Sequence, residues 1–168
     1  MSGERRRANV LAALAAVVVL ATGFAVFAAL RASAAHGGNV AVADTRATAE
    51  VADQISAGVK ALFSYDYANL ARTERAAASV LVDEAVGQYR SGYEAAKQQA
   101  VAQKLIRTTT IGSIGVSDLR GDTARVLVFL DQQTLVTTTN QQSSASAALS
   151  VTARKVDGTW KIASMTAL

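Results

Sequence analysis

The pattern of apolar and polar positions divides this chain into one continuous apolar run and a longer region of mixed sequence. Residues 8–30 contain no charged side chain, and their only polar side chains are Asn9 and Thr22. A helix of this length, at about 1.5 Å per residue, reaches about 35 Å and exceeds the roughly 30 Å hydrocarbon core of a bilayer. The run therefore predicts a single transmembrane helix.

The residues that flank this run bear on its processing and orientation. Ala32-Ser33-Ala34 would suit signal-peptide cleavage, but a signal peptide has an apolar core of only about 7–15 residues. We therefore expect an uncleaved anchor, with a cleaved signal peptide as the alternative. The three arginines at 5–7 outweigh Arg31, so residues 1–7 are expected to form a cytoplasmic tail and the following domain to lie outside the cell membrane.

A linker and a first helix are predicted after the apolar run. Residues 31–43 include Gly37-Gly38 and are expected to be a flexible spacer before a domain that spans 44–168. From there, apolar residues recur every four positions and predict an amphipathic helix that is capped by Asp44 or Thr45 and ends near residue 64.

A second helical region is predicted over about 76–104. An interruption is expected near Val82, with Asp83 as the cap of the longer half. Its apolar stripe comprises Val86, Tyr89, Tyr93, Ala96, Ala100 and either Val101 or Leu105.

The remainder of the chain has the composition of β-strands. Four strands are predicted, over residues 108–116, 123–139, 147–154 and 159–165. They are separated by Arg120-Gly121-Asp122, by the polar residues 140–144, and by Asp157-Gly158, a strong two-residue hairpin turn. Helices that precede consecutive antiparallel strands predict an α+β fold in which the helices pack on one face of a curved sheet.

The charge and composition exclude several function classes. The net charge is +4, but from Asp44 onward 13 basic and 12 acidic residues leave only +1, so the basic balance is no argument for nucleic-acid binding. The absence of cysteine excludes disulfides and thiolate metal sites. The only histidine, His36, lies in the linker, and no metal-ligand spacing or phosphate-binding glycine loop is visible. We expect no cofactor and no metal.

Candidate chemistry is limited to one carboxylate and a set of aromatic residues. Asp66 could act as a base opposite a tyrosine, as in some isomerases and dehydratases. A carboxylate at a helix end more commonly accepts hydrogen bonds from backbone N–H groups, so we expect a non-enzymatic protein. The residues expected to line a pocket or to pack the core are Tyr65, Tyr67, Tyr89, Tyr93, Phe129 and Trp160.

Three stretches, in this order, carry a resemblance to a known family. They are Ser64-Tyr65-Asp66-Tyr67, Val126-Leu127-Val128-Phe129-Leu130-Asp131-Gln132 and Val156-Asp157-Gly158-Thr159-Trp160-Lys161-Ile162. Together with the N-terminal anchor, they resemble the Mce-associated membrane proteins of actinobacteria over nearly the whole chain. The resemblance implies an outer domain of the NTF2-like, VirB8-like type and an accessory role beside an Mce lipid-import transporter in the cell envelope.

Two hypotheses of function, from different classes, follow. The first is an assembly protein whose membrane helix and outer domain contact Mce or permease subunits of the transporter, with a homo-oligomer also allowed. The second is a module that binds or isomerises a small apolar ligand in a closed cavity lined by Tyr89, Tyr93 and Phe129. A type IV secretion component of the VirB8 kind is a further alternative.

Overall fold

A computed structural model describes residues 39–168 of the protein. The predicted tail, the transmembrane helix at 8–30 and most of the linker lie outside the described residues. The elements are α1 (Thr45–Phe63), β1 (Tyr65–Asp66), α2 (Leu70–Val80), α3 (Glu84–Gln103), β2 (Leu105–Arg120), β3 (Thr123–Val136), β4 (Gln141–Val156) and β5 (Thr159–Ala167). Within residues 39–168, no helix is long and apolar enough to span a membrane.

The strands form one antiparallel sheet whose spatial order follows the sequence, β1-β2-β3-β4-β5. The α+β prediction is therefore confirmed, with five strands where four were expected. The additional strand, β1, is only two residues long, so no alternation of polar and apolar residues could reveal it.

Helix α1 forms as its sequence predicts. The Asp44 carboxylate accepts a hydrogen bond from the backbone N–H of Ala47 at 2.9 Å, which confirms the N-cap. The apolar stripe is buried against the sheet, where Val51, Ile55 and Val59 have no exposed surface. Burial of this stripe stabilises a helix whose propensity alone would leave it marginal.

The second helical region differs from the prediction in two ways. It begins at Leu70, about six residues early, because the first turn is held by a polar contact in which buried Thr73 donates its hydroxyl to the Ser64 carbonyl at 3.0 Å. The predicted interruption near Val82 is confirmed, but Asp83 makes no side-chain cap. Its carboxylate instead accepts a hydrogen bond from Arg154 at 2.8 Å.

The apolar stripe predicted for α3 is largely confirmed, because Tyr93, Ala100 and Leu105 are buried and Tyr89 and Ala96 are half-buried. The prediction is wrong at Val86, which is exposed while the neighbouring Ala85 is buried, and the open choice between Val101 and Leu105 falls to Leu105. The helix covers the sheet with small and aromatic side chains, because an alanine allows close approach and the tyrosines fill the space beside it.

The sheet curves over α1, and β3 lies at its centre. Along β3, alternate residues from Ala124 to Leu130 are buried on the inner face, while Leu127 and Phe129 point to the outer face and stay exposed. Strand β2 has two register shifts, at Gly112 and at Ser117. Such bulges increase the local bending and twist of a strand.

Two boundary predictions are corrected. The turn between β3 and β4 covers residues 137–140, so most of the polar stretch at 140–144 belongs to β4. The end of the predicted linker is docked on the sheet, because the Asn39 carboxamide bonds to the backbone of Ser117 and Leu119. The Asp157-Gly158 hairpin is confirmed, with φ of 50° and 77° at its two turn residues.

Candidate functional site

A pocket of about 320 Å³ opens between the end of α1, α3 and the neighbouring strands. Its walls are largely apolar, and we call it the tyrosine pocket. The side chains that form it include Leu62, Phe63, Tyr65, Tyr89, Tyr93 and Met165. This volume falls at the lower end of the range of about 300–1,000 Å³ that small-molecule sites occupy.

Two tyrosines one helical turn apart form one wall of this pocket. The rings of Tyr89 and Tyr93 stack, with centroids 5.0 Å apart and an interplanar angle of 18°. The Tyr89 hydroxyl donates to the Leu62 carbonyl at 3.0 Å, whereas the buried Tyr93 hydroxyl has no hydrogen-bond partner among the described residues. Burial raises the pKa of both phenols above the ordinary value, so both hydroxyls stay protonated near neutral pH.

The structure does not bring Asp66 together with these two rings. Asp66 closes a local turn, in which its carboxylate accepts a hydrogen bond from the backbone N–H of Ala68 at 2.9 Å. It lies on a separate groove of about 510 Å³, whose other charged side chains are Lys60, Arg72 and Arg107. Asp66 therefore lies in β1 rather than at a helix end, and its carboxylate accepts a hydrogen bond from a backbone N–H, as expected from the sequence.

Sequence reasoning missed this groove, which we call the cationic groove. Its three basic residues come from α1, α2 and β2, so no cluster of basic residues in the sequence predicts the groove. Arg107 is fixed at the boundary with the tyrosine pocket, because its guanidinium lies 5.1 Å from the Tyr65 ring centroid and its Nε donates to Thr134 at 3.0 Å.

The remaining predicted site residues fall in different places. Trp160 is buried in the main core, where its backbone N–H donates to the Gln54 side chain at 2.7 Å. Tyr67 packs with Tyr65 in a smaller cluster beside the start of β2. Phe129 is 51% exposed on the outer face, so the expected closed cavity of Tyr89, Tyr93 and Phe129 is wrong.

Phe129 instead belongs to an exposed patch on the outer face of the sheet. Leu127 lies two residues before it on the same face and is 36% exposed. A groove of about 460 Å³ follows the ring toward β4 and the chain end, lined by Phe129, Leu130, Asp131, Ser146, Ala147, Ala148 and Leu168. Residues 126–130 of β3 are all apolar, and the structure identifies Leu127 and Phe129 as the ones that remain exposed.

No grouping of three or more His, Asp or Glu side chains that could hold a metal ion occurs within residues 39–168. The charged side chains there form dispersed pairs, such as Lys155 with Glu50 at 2.8 Å.

Comparisons with known proteins support the fold more strongly than any function. No protein-family model matches the sequence. The uncharacterized proteins Rv1362c and MT1407, from two strains of Mycobacterium tuberculosis (H37Rv and CDC 1551), are 38% identical to this chain over 116 residues. The match covers 66% of this chain and 51% of each relative, so the chain spans about half the length of the curated relatives it matches.

Solved structures with the same architecture come from type IV secretion system proteins and from the NTF2-like superfamily. An IcmL-like type IV secretion system protein from Legionella pneumophila has a TM-score of 0.64 at 8% identity, covering 71% of this chain and 91% of that one. CagV, a VirB8 homolog of Helicobacter pylori, has a TM-score of 0.60 at 16% identity, covering 71% and 96%. An NTF2-like superfamily protein from Salmonella enterica has a TM-score of 0.52 at 12% identity, covering 72% and 92%. The described domain therefore has the NTF2-like, VirB8-like fold.

Proposed function

We propose that this protein is a non-catalytic accessory subunit that assembles or stabilises an Mce-type lipid-import transporter in the cell envelope. In this proposal residues 8–30 anchor the chain in the cell membrane, with the N-terminus cytoplasmic and the domain at 39–168 outside. The observation that carries the proposal is the exposed Phe129 on the outer face of the sheet.

The surroundings of Phe129 suit contact with another protein. Directly across from it are Ser113 on β2 and Ala148 on β4, both short side chains that leave the ring accessible. Leu127 is likewise flanked by Gly115 and Ser150. An aromatic anchor among short neighbours is typical of an interaction hot spot, and full burial of such a side chain contributes about 1.5–3 kcal/mol.

The choice of partner rests on different support. The solved neighbours include proteins of type IV secretion systems, which supports an assembly role in the envelope for a domain of this fold. The order of the three sequence stretches and the apolar run at 8–30 support the Mce-associated family in particular. The mycobacterial relatives agree with an actinobacterial context.

The test is recovery of named transporter subunits with the full chain from detergent-solubilised membranes. We expect Mce and permease subunits to co-purify with the wild type and to be depleted several-fold by Phe129→Ser. Val101→Ser is the matched control, because Val101 is 54% exposed on α3 and Phe129 is 51% exposed.

Each outcome of this experiment has a definite meaning. Equal recovery of the subunits with both variants would show that the outer face of the sheet is not the contact surface. Recovery of type IV secretion subunits in place of transporter subunits would favour the secretion alternative, and repeated recovery of the protein alone would overturn the assembly role.

A second candidate function is favoured by the tyrosine pocket. Its apolar walls, its volume of about 320 Å³ and the polar edge provided by Arg107 fit a small apolar ligand. This candidate predicts saturable, one-to-one binding of a neutral apolar probe such as N-phenyl-1-naphthylamine. A linear, non-saturating fluorescence response of the probe would rule out this second candidate function.

A further inference from the structure

Three outward backbone groups along the β5 edge are bonded to other parts of the domain. The backbone N–H of Trp160 donates to Gln54 at 2.7 Å, and that of Met165 donates to Gln88 at 2.8 Å. Between them the Ile162 carbonyl accepts a hydrogen bond from the Val82 N–H at 2.9 Å. The β5 edge therefore offers little to another strand.

The β2 edge is protected by different means. One end carries β1, and the other end carries the docked residues Asn39 and Val40. The two bulges of β2, at Gly112 and Ser117, lie along the same strand. Bulges twist an edge away from the flat geometry that a pairing strand requires.

The start of β4 has none of these protections. Strand β5 pairs with β4 only as far as Leu149, and the N–H of Leu168 then donates to the Ala148 carbonyl at 3.0 Å. Residues 141–147 pair with β3 on one side, and nothing within residues 39–168 pairs with them on the other. All seven are exposed. We call this segment the open β4 edge.

The direction of its backbone groups follows from the bond at Ala148. Because the Ala148 carbonyl points toward the β5 side and backbone direction alternates along a strand, Gln142, Ser144 and Ser146 point their N–H and C=O groups out of the open edge. Their side chains lie on the outer face, opposite Leu135, Gln133 and Asp131 of β3.

The composition of the open β4 edge lacks the usual safeguards. Residues 141–147 read Gln-Gln-Ser-Ser-Ala-Ser-Ala, without lysine, proline or any charge. Natural sheets commonly protect free edges with those residues. An uncharged, regular edge of this length is suited to receive a further strand.

We propose that the open β4 edge pairs with the same edge of a second copy of this chain, antiparallel and about a two-fold axis at Ser144. The sheets of the two copies then form one continuous sheet. This inference does not depend on the identity of the transporter.

Length and charge favour a second copy over an unrelated strand. The open edge is bounded by Leu168 at one end and by the turn at 137–140 at the other, so it accepts about seven residues. A second copy supplies a strand of the same length, and pairing centred on Ser144 places Gln142 opposite Ser146 of the other copy. Like charges directly opposite each other would disfavour self-pairing, and this arrangement contains none.

The absence of cysteine makes a direct test available. We expect Ser144→Cys, in the full chain in native membranes, to form a disulfide-linked dimer on mild oxidation. Two directly opposed residues of a hydrogen-bonded pair have Cα atoms about 5.5 Å apart, within the range that a disulfide spans. Ser113→Cys is the matched control, since Ser113 is an exposed serine on the outer face of β2, on the far side of β3 from the open β4 edge.

A second measurement does not depend on cross-linking. Ser144→Lys places two like charges across the axis and is expected to weaken self-association in detergent at least about tenfold, measured by sedimentation. Ser113→Lys should leave it unchanged. Cross-linking of the Ser144→Cys variant no greater than that of the Ser113→Cys variant would overturn the proposal, as would a dimer that Ser144→Lys does not weaken.

Discussion

Gly58 of α1 lies directly against Val80 of α2, so closely that a Cβ atom at Gly58 would be 2.7 Å from Cγ1 of Val80. The same atom would lie 3.6 Å from Cδ1 of Ile162, on the sheet beneath the two helices. Gly58 is buried, and Val80 and Ile162 pack in the same hydrophobic core. Its lack of a side chain therefore sets how closely α2 approaches α1.

Gly58→Ala is expected to destabilise the domain, although alanine is the better helix former. The gain in helix propensity is about 1 kcal/mol, and overpacking of a core typically costs about 1–3 kcal/mol. We expect a net loss of about 1 kcal/mol in the free energy of unfolding, measured by urea denaturation of residues 39–168.

A double-mutant cycle provides the control for this prediction. With Val80→Ala the clash disappears, so adding Gly58→Ala should then stabilise the domain and the sign of its effect should reverse. A stabilising effect in the wild-type background would show that α2 shifts away at no cost.

Local sequence patterns predicted those elements that depend only on their own residues. The stripe of α1 and the Asp157-Gly158 turn belong to this class, because burial periodicity and turn chemistry act over a few residues. In the sequence, Gly58 is only a residue of low helix propensity inside a predicted helix. Glycine is required at this position because of the close contact with Val80, which is 22 positions away. The periodicity of a helix contains no information about such a contact.

For the candidate sites as well, local sequence patterns predicted some features, whereas others depend on the whole fold. The apolar character of Phe129 was evident, but whether the outer face of β3 is covered depends on the whole topology. The cationic groove collects Lys60, Arg72 and Arg107 from separate elements, so only the fold brings them together. The stacked pair of Tyr89 and Tyr93 was predictable, since their spacing places both rings on one helix face.

The two stacked tyrosines should respond differently to loss of their hydroxyl groups. Tyr89→Phe removes the hydrogen bond to the Leu62 carbonyl and is expected to cost about 1 kcal/mol of stability. Tyr93→Phe removes a buried hydroxyl without a partner among the described residues and should be neutral or stabilising. Urea unfolding at neutral pH measures both, and a larger loss for Tyr93→Phe would indicate that its hydroxyl has a partner in solution.

Alkaline pH should destabilise the domain through the same pair. Burial raises the pKa of Tyr89 well above that of an unfolded tyrosine, and Tyr93 shifts in the same direction. Their contribution is therefore complete below about pH 10, where unfolded tyrosine ionises, and is lost as the pH rises toward the folded values. Urea midpoints at pH 8 and pH 11 should differ less for Tyr89→Phe than for the wild type.

Asn39 is expected to hold the start of the domain on β2. Its side-chain oxygen accepts from the backbone N–H groups of Ala41 and Leu119, each at 3.0 Å, and its amide donates to the Ser117 carbonyl at 3.0 Å. Asn39→Ala leaves the N–H of buried Leu119 without its acceptor, so we expect a loss of about 1–2 kcal/mol. Asn39→Asp keeps an acceptor there and should lose less. Equal losses in urea unfolding would assign the stability to the Ser117 bond instead.

Two glycines on α3 allow the tyrosine pocket to be closed without disturbing the fold. A Cβ at Gly92 or at Gly87 meets no atom within 4 Å, but only Gly92 lines the pocket. Leucine at either position should stabilise the helix by up to about 1 kcal/mol. We expect Gly92→Leu to abolish saturable binding of N-phenyl-1-naphthylamine and Gly87→Leu to preserve it. Equal binding by both variants would place the probe elsewhere, and recovery of transporter subunits with Gly92→Leu would show that assembly does not require the pocket.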